Sequence, residues 1–218
     1  MGRSRFSPKT RQSGVIDPKL IIIATEGKCT EKQYFEELRR QRGKTNVHVE
    51  LLETLDGNSS PLHVLARLDA FAAKYSFKSQ RDQLWMVIDT DKWGIPKIAQ
   101  VSQLCTQKGY RLAVSNPSFE LWLLLHHKRL QDYSQEEKVN ISLNEKTGTR
   151  TYIETLLISI NGSYNKSKIN PDHFFPYIEH AIAEAKSLDN PNSRWPDEIG
   201  TKVFLLVEEI ITPLYTIS

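Results

Sequence analysis

The chain has 218 residues and a mass of 25.1 kDa, which is enough for one large domain or for one domain with a smaller appendage. Hydrophobic residues make up 39% and charged residues 25%, a composition typical of globular proteins and unlike that of disordered ones. The net charge is only +3. The apolar runs are too short for a membrane span, and no secretory signal pattern is visible. Because two cysteines also cannot form a disulfide framework, we expect a cytoplasmic globular protein.

Residues 1–14 form a basic segment. They carry Arg3, Arg5, Lys9 and Arg11 and no acidic residue, so the rest of the chain is close to neutral. Flexible basic arms of this kind bind phosphate backbones by releasing counterions. A frayed, solubilising terminus has the same composition, and the sequence leaves both interpretations open.

Four short apolar segments are typical of strands that are buried on both faces of a sheet. They are residues 20–24, 47–52, 83–88 and 110–114. Each is followed by an amphipathic segment with a helix start signal. These helices are predicted at 30–40, 61–75, 95–108 and 118–127. The alternation predicts an α/β fold, with a mostly parallel four-stranded sheet and helices on both of its faces.

Residues 129–218 have no comparable strand pattern. Helices are predicted near 150–160, 171–188 and 199–214, and polar loops separate them. We therefore divide the chain into the basic arm at 1–14, an α/β core at 15–128 and a helical extension at 129–218 that packs on the core.

Acidic residues follow three of the four predicted strands. Glu26 follows the first strand, Asp89 and Asp91 follow the third, and Glu120 lies in the first turn of the helix after the fourth. Glu31, in the first turn of the first helix, can face the same place. Because the carboxyl ends of parallel strands meet at one edge of a sheet, we expect these side chains to converge there. Carboxylates from several loops suit Mg²⁺ or Mn²⁺, and without a cation they would raise one another's pKa.

Each acid also has an explanation that needs no metal. Glu31 and Glu120 favour the positive N-terminal ends of their helices, and Asp89 and Asp91 are common turn residues. Glu26 directly precedes a glycine and is harder to explain through packing. The coincidence of acids at several strand ends, rather than any single residue, favours the metal site.

Basic, polar and aromatic residues near these acids are candidate contacts for a substrate that carries phosphate. The candidates are Lys28, Lys92, Trp93, Asn116, Lys166 and Lys168. Lys28 and Lys92 can offset phosphate charge, whereas Lys166 and Lys168 lie in a polar loop that is solvated by default. No phosphate-binding loop of the GxxxxGK[ST] type occurs, so the chain does not look like a nucleotide hydrolase.

Three longer segments resemble the signature blocks of the RloB family. They are EGKCTEKQYF at 26–35, DTDKW at 89–93 and SNPSFELWLLLH at 115–126, and the resemblance extends from about residue 15 to the C-terminus. RloB-like proteins are regarded as members of the Toprim superfamily, so the resemblance implies a Toprim-like, Rossmann-like catalytic core at 15–128. It also implies that Glu26, Asp89 and Asp91 hold divalent metal. Glu31 follows Glu26 by five residues, one more than is usual in related Toprim nucleases.

The resemblance further implies a role in prokaryotic defence against phage by abortive infection, beside an ATPase of the ABC or AAA kind. Our hypothesis is a divalent-metal-dependent Toprim-type endonuclease that cleaves phosphodiester bonds of DNA or RNA, tRNA included. Asp89 and Asp91 would hold Mg²⁺ or Mn²⁺, Glu26 would ligate metal or act as general base, and Glu31 and Glu120 would complete a second site. A catalytically silent or partner-gated metal-binding regulatory subunit and a primase-like nucleotidyl transferase are the alternatives. Homo-oligomerisation stays open.

Overall fold

Strands and helices alternate through the first half of the protein. The computed structural model describes residues 18–54, 60–75 and 80–211, so the predicted basic arm at 1–14 lies outside the described residues. The elements are β1 (Lys19–Thr25), α1 (Thr30–Arg42), β2 (Val47–Leu51), α2 (Pro61–Lys74), β3 (Gln83–Asp89), α3 (Ile95–Lys108), β4 (Arg111–Asn116) and α4 (Phe119–Leu124). The predicted α/β fold is confirmed, and the bounds agree to within a few residues.

The four strands form a parallel sheet in the order β2-β1-β3-β4, which is Rossmann-like. Successive side chains of a strand point to opposite faces. In β1, Ile21 and Ile23 therefore belong to one hydrophobic cluster, while Ile22 and Ala24 belong to the other. Helices α2 and α3 cover the second face, and α1 and α4 cover the first together with helices from the second half of the chain. Burial on both faces explains why these strands are continuously apolar.

The second half of the chain is mostly helical, as predicted, but its elements are shorter. The elements are α5 (Gln135–Leu143), β5 (Lys146–Thr147), β6 (Arg150–Thr151), α6 (Tyr152–Asn161), α7 (Ile178–Ser187), β7 (Gly200–Thr201) and α8 (Val203–Ile210). The predicted helix at 171–188 begins with two 3₁₀ turns, each containing a proline that lacks the backbone donor of a regular helix. Helix α5 and the β5–β6 hairpin were not predicted. No described helix is both long enough and apolar enough to cross a bilayer.

A fifth strand extends the sheet beyond the four that were predicted. Strand β7 pairs antiparallel with the end of β4, with Thr201 opposite Ser115 and Gly200 opposite Asn116. The hydroxyls of Ser115 and Thr201 also share a hydrogen bond of 2.9 Å. A strand of two residues carries no alternating pattern, so periodicity could not distinguish it from the start of the following helix.

An aromatic cluster joins the sheet to the second half of the chain. Tyr34 of α1 makes edge-to-face contacts with Phe119 and Trp122 of α4 and with Phe175 of a 3₁₀ turn. The Tyr34 hydroxyl lies 3.3 Å from Nε2 of the buried His126. Burial lowers the pKa of His126 to about 3, so this imidazole is neutral and packs as part of the core. Helix α4, which also carries Glu120, is therefore fixed from both halves of the chain.

An arginine holds the carboxyl ends of β1 and β2 together on the opposite face of the sheet. The Arg67 guanidinium of α2 donates to the carbonyl oxygens of Thr25, Leu52 and Glu53. Backbone carbonyls at strand ends need such donors when no further strand residue follows. This contact fixes the segment directly before Glu26.

Candidate active site

The carboxyl ends of β1, β3 and β4 meet at a cavity of about 290 Å³. Its described lining includes every acidic residue that the sequence predicted for the site: Glu26, Glu31, Asp89, Asp91 and Glu120. Their placement follows from the sheet, because parallel strands deliver the residues after their carboxyl ends to the same edge. In the structure these side chains lie together at one edge of the sheet, as we predicted.

Glu26 continues β1 with its backbone and turns its side chain into the cavity. Its N–H donates to the carbonyl of Val87 at 2.9 Å, which extends the ladder with β3. Its Oε2 accepts from the indole N–H of Trp93 at 2.9 Å and from the backbone N–H of Asp89 at 3.4 Å. Its Oε1 is buried without a hydrogen bond, 3.5 Å from the Lys92 ammonium. Burial raises the pKa of Glu26, against the opposing effects of Trp93 and Lys92.

Glu31 reaches back from α1 to the loop after β1. Its Oε1 accepts from the backbone N–H of Gly27 at 2.9 Å, and the side chain is almost completely buried. A Cβ at position 27 would collide with this carboxylate, so the sequence needs glycine there for a steric reason. Burial, with a further contribution from the negative charge of Glu120, raises the pKa of Glu31 to about 7. This carboxyl therefore carries a proton for part of the neutral pH range.

Asp89 ends β3 and Asp91 lies on the loop that follows, and β4 and its continuation hold this segment in place. Thr90 donates its N–H to the carbonyl of Ser115 at 3.0 Å, and Asp91 donates to the carbonyl of Pro117 at 3.2 Å. Oδ1 of Asp89 is buried and accepts no hydrogen bond. Burial, followed by the charges of the neighbouring acids, raises the pKa of Asp89 well above its usual range. Asp91 is more exposed, and burial raises its pKa while Lys92 opposes the shift.

We call Glu26, Asp89 and Asp91 the acidic wall of the cavity. On the other wall, the acids Glu120 and Glu154 are paired with a lysine. Glu120, at the start of α4, accepts from the Ser118 hydroxyl at 2.9 Å and from the Tyr164 hydroxyl at 3.2 Å. The Lys166 ammonium lies 3.1 Å from Glu120 and 2.6 Å from Glu154. Burial would lower the pKa of Lys166, but these two carboxylates raise it above its usual range.

Two charged residues at or beside the cavity were missed by the sequence analysis, and a contact of a third residue, Tyr164, was not predicted. Glu154 lies in the first turn of α6. An acid is common at this position because it interacts favourably with the helix dipole, so the sequence did not indicate a further role for it. Tyr164 follows the turn at Gly162 in a polar loop, and only the fold shows that its hydroxyl reaches Glu120. Lys146, on the unpredicted β5–β6 hairpin, lines the cavity beside Asp91.

The predicted substrate contacts are divided between the cavity and other places. Lys28, Lys92 and Lys166 line the cavity. Trp93 holds Glu26 through its indole N–H, and the Lys97 ammonium lies 4.5 Å from its ring centroid. Trp93 and the other two candidates lie outside the described lining of this cavity.

Asn116 and Lys168 are the candidates that the fold places elsewhere. The Asn116 amide accepts from the Thr90 hydroxyl at 2.9 Å and donates to the Pro196 carbonyl at 3.2 Å, so it joins two loops. Asn116 also lines a separate cavity of about 800 Å³. Lys168 lies beside the exposed side of α1, near Glu36.

The donor set of the acidic wall fits a hard divalent cation. Every candidate ligand is a carboxylate oxygen, the type that Mg²⁺ and Mn²⁺ prefer, and the buried Glu26 Oε1 and Asp89 Oδ1 have no hydrogen-bond donor. Within residues 18–54, 60–75 and 80–211, no three His, Cys, Asp or Glu side chains are already spaced as a metal-binding group. The cavity thus brings together carboxylates of the type that these ions prefer, at distances wider than those of a formed metal-binding group.

Comparison with known proteins agrees with this description at the level of the family. The chain matches the family model described as RloB-like protein over residues 21–210. No curated protein and no solved structure matches it. The matched range runs from within β1 to the end of α8 and contains all the acids that line the cavity. The chain therefore belongs to the RloB-like protein family.

Proposed function

We propose that the protein is a divalent-metal-dependent nuclease with a Toprim-type core, which cleaves phosphodiester bonds of DNA or RNA. The observation that carries the proposal is the pair of buried carboxylate oxygens, Glu26 Oε1 and Asp89 Oδ1, that lack hydrogen-bond donors at one cavity. Buried anionic oxygens are costly unless a donor or a cation compensates them. Asp89 Oδ1 has no hydrogen-bond donor, and Glu26 Oε1 has only the exposed Lys92 ammonium at 3.5 Å, so we infer that a bound divalent ion compensates these carboxylates.

Glu26, Asp89 and Asp91 would hold the ion. When bound, Mg²⁺ or Mn²⁺ supplies positive charge that stabilises the charge developing on a phosphodiester during cleavage. Asp91 is exposed, which suits a ligand at the boundary between the ion and a substrate. Burial raises the pKa of Glu26, and burial followed by the neighbouring acids raises that of Asp89, so their ionised forms are disfavoured until a cation binds.

Glu26 has an alternative role as general base, and its neighbours would bind and orient the substrate. As a base rather than a metal ligand, Glu26 would accept a proton from the attacking water, and burial raises its pKa towards neutral pH. Trp93 fixes the orientation of the Glu26 carboxylate through the hydrogen bond of 2.9 Å. Lys92, whose side chain is 62% exposed, and the exposed Lys28 are placed to contact phosphate oxygens.

The cellular setting belongs to the same proposal and rests on the family. RloB-like proteins are associated with prokaryotic antiphage defence, so we infer a cytoplasmic effector of abortive infection that acts with an ABC- or AAA-type ATPase. The basic segment at 1–14 would increase encounter with nucleic acid.

One observation favours a partner-gated form of this function. Lys92 lies 3.5 Å from Glu26, and no three acids are yet spaced as a metal-binding group in the described part of the chain. A partner that withdraws Lys92 would free Glu26 for metal. In that case the isolated chain would bind nucleic acid or metal without turnover, and addition of the ATPase would start cleavage.

The experiment is a cleavage assay on plasmid, genomic DNA and tRNA, with Mn²⁺, with Mg²⁺ and with a chelator. Wild type is compared with Asp89→Asn and with Asp172→Asn, which changes an exposed acid beside α1 rather than in the cavity. We expect metal-dependent cleavage that Asp89→Asn reduces by about a thousandfold and that Asp172→Asn leaves unchanged. Each reaction is repeated with the ATPase. Intact substrates in every arm, or equal cutting by Asp89→Asn, would overturn the proposal.

A further inference from the structure

Lys166 is a cation that the chain itself places in the wall of the carboxylate cavity. Its ammonium lies between two acids, 2.6 Å from Glu154 Oε1 and 3.1 Å from Glu120 Oε1. The side chains of these acids are only 9% and 7% exposed. The backbone is fixed as well, because the Lys166 carbonyl accepts from the Thr30 hydroxyl of α1 at 3.3 Å.

Donors already surround the Glu120 carboxylate. Its Oε2 accepts from the Ser118 hydroxyl, and its Oε1 accepts from the Tyr164 hydroxyl while Lys166 lies beside it. A carboxylate oxygen offers about two lone-pair sites, so both sites of Oε1 are engaged. Direct ligation of a metal by Oε1 would require Tyr164 or Lys166 to leave.

The two walls of the cavity therefore differ in how their charge is balanced. On one wall, Glu26 Oε1 and Asp89 Oδ1 are buried without a hydrogen bond. On the other, Glu120 and Glu154 share the ammonium of Lys166. In enzymes with two metal ions, carboxylates hold two cations about 3.5–4 Å apart on either side of the reacting phosphate. Here the chain supplies one wall with an ammonium that lies between two acids, and the other wall with Lys92, which is 62% exposed and lies 3.5 Å from Glu26 Oε1.

We propose that Lys166 takes the place of a second metal ion, so that the cavity binds one divalent cation per chain, on the wall of Glu26, Asp89 and Asp91. This inference rests on the metal site of the proposed function and fixes its stoichiometry. It replaces the hypothesis of a second site that includes Glu120. Glu120 and Glu154 are positioning residues, which orient the ammonium of Lys166.

The test is the number of Mn²⁺ ions bound per chain, measured by calorimetry and by the loss of the free-ion signal in electron paramagnetic resonance, without nucleic acid. Wild type is compared with Lys166→Met, which removes the charge and keeps most of the side-chain length. The matched control is Lys186→Met. Lys186 also lies 2.6 Å from a glutamate, Glu208, and is 49% exposed against 47% for Lys166, but it lies on α7 away from the cavity.

Wild type and Lys186→Met are expected to bind one ion, and Lys166→Met two, because Glu120 and Glu154 are then left without a cation. Mn²⁺ should also raise the melting temperature of Lys166→Met more than that of Lys186→Met. Wild type binding no ion or two ions contradicts the inference. A folded Lys166→Met protein that still binds one ion contradicts it as well.

A second variant keeps the test decisive if Lys166→Met does not fold. Glu120→Gln should leave wild-type stoichiometry and lower Mn²⁺ affinity by no more than about 10- to 100-fold, since Glu120 acts on Lys166 rather than on the metal. A larger loss of affinity would identify Glu120 as a ligand. One bound ion without cleavage would overturn only the nuclease proposal, whereas cleavage with two bound ions would overturn only this inference.

Discussion

Two cavities of the protein lie beside the end of β4, and they are lined by different kinds of side chain. The larger, of about 800 Å³, is lined by apolar side chains such as Val139 and Leu188 and by the exposed acids Asp197 and Glu198. The smaller, of about 290 Å³, is lined by the buried acids Glu26, Glu31 and Glu120 and by Asp89, whose Oδ1 is buried. Volume alone would select the larger cavity. Burial of like charges is costly and is maintained only where the fold enforces it, so we place function in the smaller one.

The largest expected effect on cleavage comes from replacing one acid of the smaller cavity, compared with the same replacement in the larger cavity. Glu26→Gln removes the carboxylate that we propose as metal ligand or general base, so cleavage should fall by about a thousandfold and Mn²⁺ affinity should fall with it. Glu198→Gln makes the same chemical change in the larger cavity and should leave both quantities unchanged. Rates of cleavage and Mn²⁺ titrations check this. Equal effects of the two substitutions would remove the distinction between the cavities.

The next effect tests the steric fit between Gly27 and Glu31. Gly27→Ala places a Cβ against the Glu31 carboxylate, so this acid must move and the wall is distorted. We expect cleavage to fall by about 10- to 100-fold, as for other displaced groups around a metal. At Gly94, also in a loop near the site, a Cβ would make only an ordinary contact of 3.6 Å with Pro96. Gly94→Ala should therefore retain most of its activity, and similar losses for both variants would argue against the steric account.

A smaller effect is expected on the pH dependence of stability. The pKa of Glu31 is raised from 4.5 to about 7 in the folded protein, and that of Asp89 is raised well above 3.8. The folded state thus binds more protons than the unfolded state between these values. The contribution of these two protonated acids to folding stability is complete below their pKa in the unfolded chain. It is lost as pH rises through their pKa in the folded protein. Melting temperature without metal should therefore fall between about pH 5 and pH 8.

Metal should reverse this loss, because a divalent cation compensates the ionised acids. Mn²⁺ is expected to raise the melting temperature at pH 8 more than at pH 5. Thermal melts with Mn²⁺ and with a chelator at both pH values measure the difference. Equal shifts at the two pH values, or no shift at pH 8, would show that ionisation of these acids is not coupled to metal binding.

The smallest effect is expected from the indole of Trp93. Its N–H donates to Glu26 and lowers the pKa of that carboxyl. Trp93→Phe removes this donor, so the acidic limb of the pH–rate profile should move to higher pH, with a loss of rate below about tenfold at neutral pH. Trp195→Phe, a change outside the described lining of the acidic cavity, should leave the profile in place. An unchanged profile for Trp93→Phe would show that Glu26 does not control that limb.

The sequence predicted the parts of the fold and site that depend on local patterns. Continuous apolar runs identified β1 and β3, because strands covered on both faces have no polar positions. Once the strands were assigned, the position of Glu26 and Asp89 at one edge followed from parallel topology. The convergence of these acids therefore needed no tertiary information beyond the strand order.

Other features depend on tertiary packing and could not be predicted in this way. Strand β7 has two residues and is stabilised by pairing with β4. The β5–β6 hairpin is equally short and turns at Gly148, whose φ is +66°. The pairing of Lys166 with Glu120 links residues far apart in sequence, across a loop with no periodicity. Such contacts are set by how the second half of the chain packs on α4.

Anomalous diffraction from crystals grown with Mn²⁺ tests the central claim most directly. The account predicts one anomalous peak in the smaller cavity, about 2.1 Å from carboxylate oxygens of Glu26, Asp89 and Asp91, with the Lys166 ammonium still between Glu120 and Glu154. A peak in the larger cavity alone, or no peak near Glu26 and Asp89 in crystals that hold Mn²⁺ elsewhere, would contradict it.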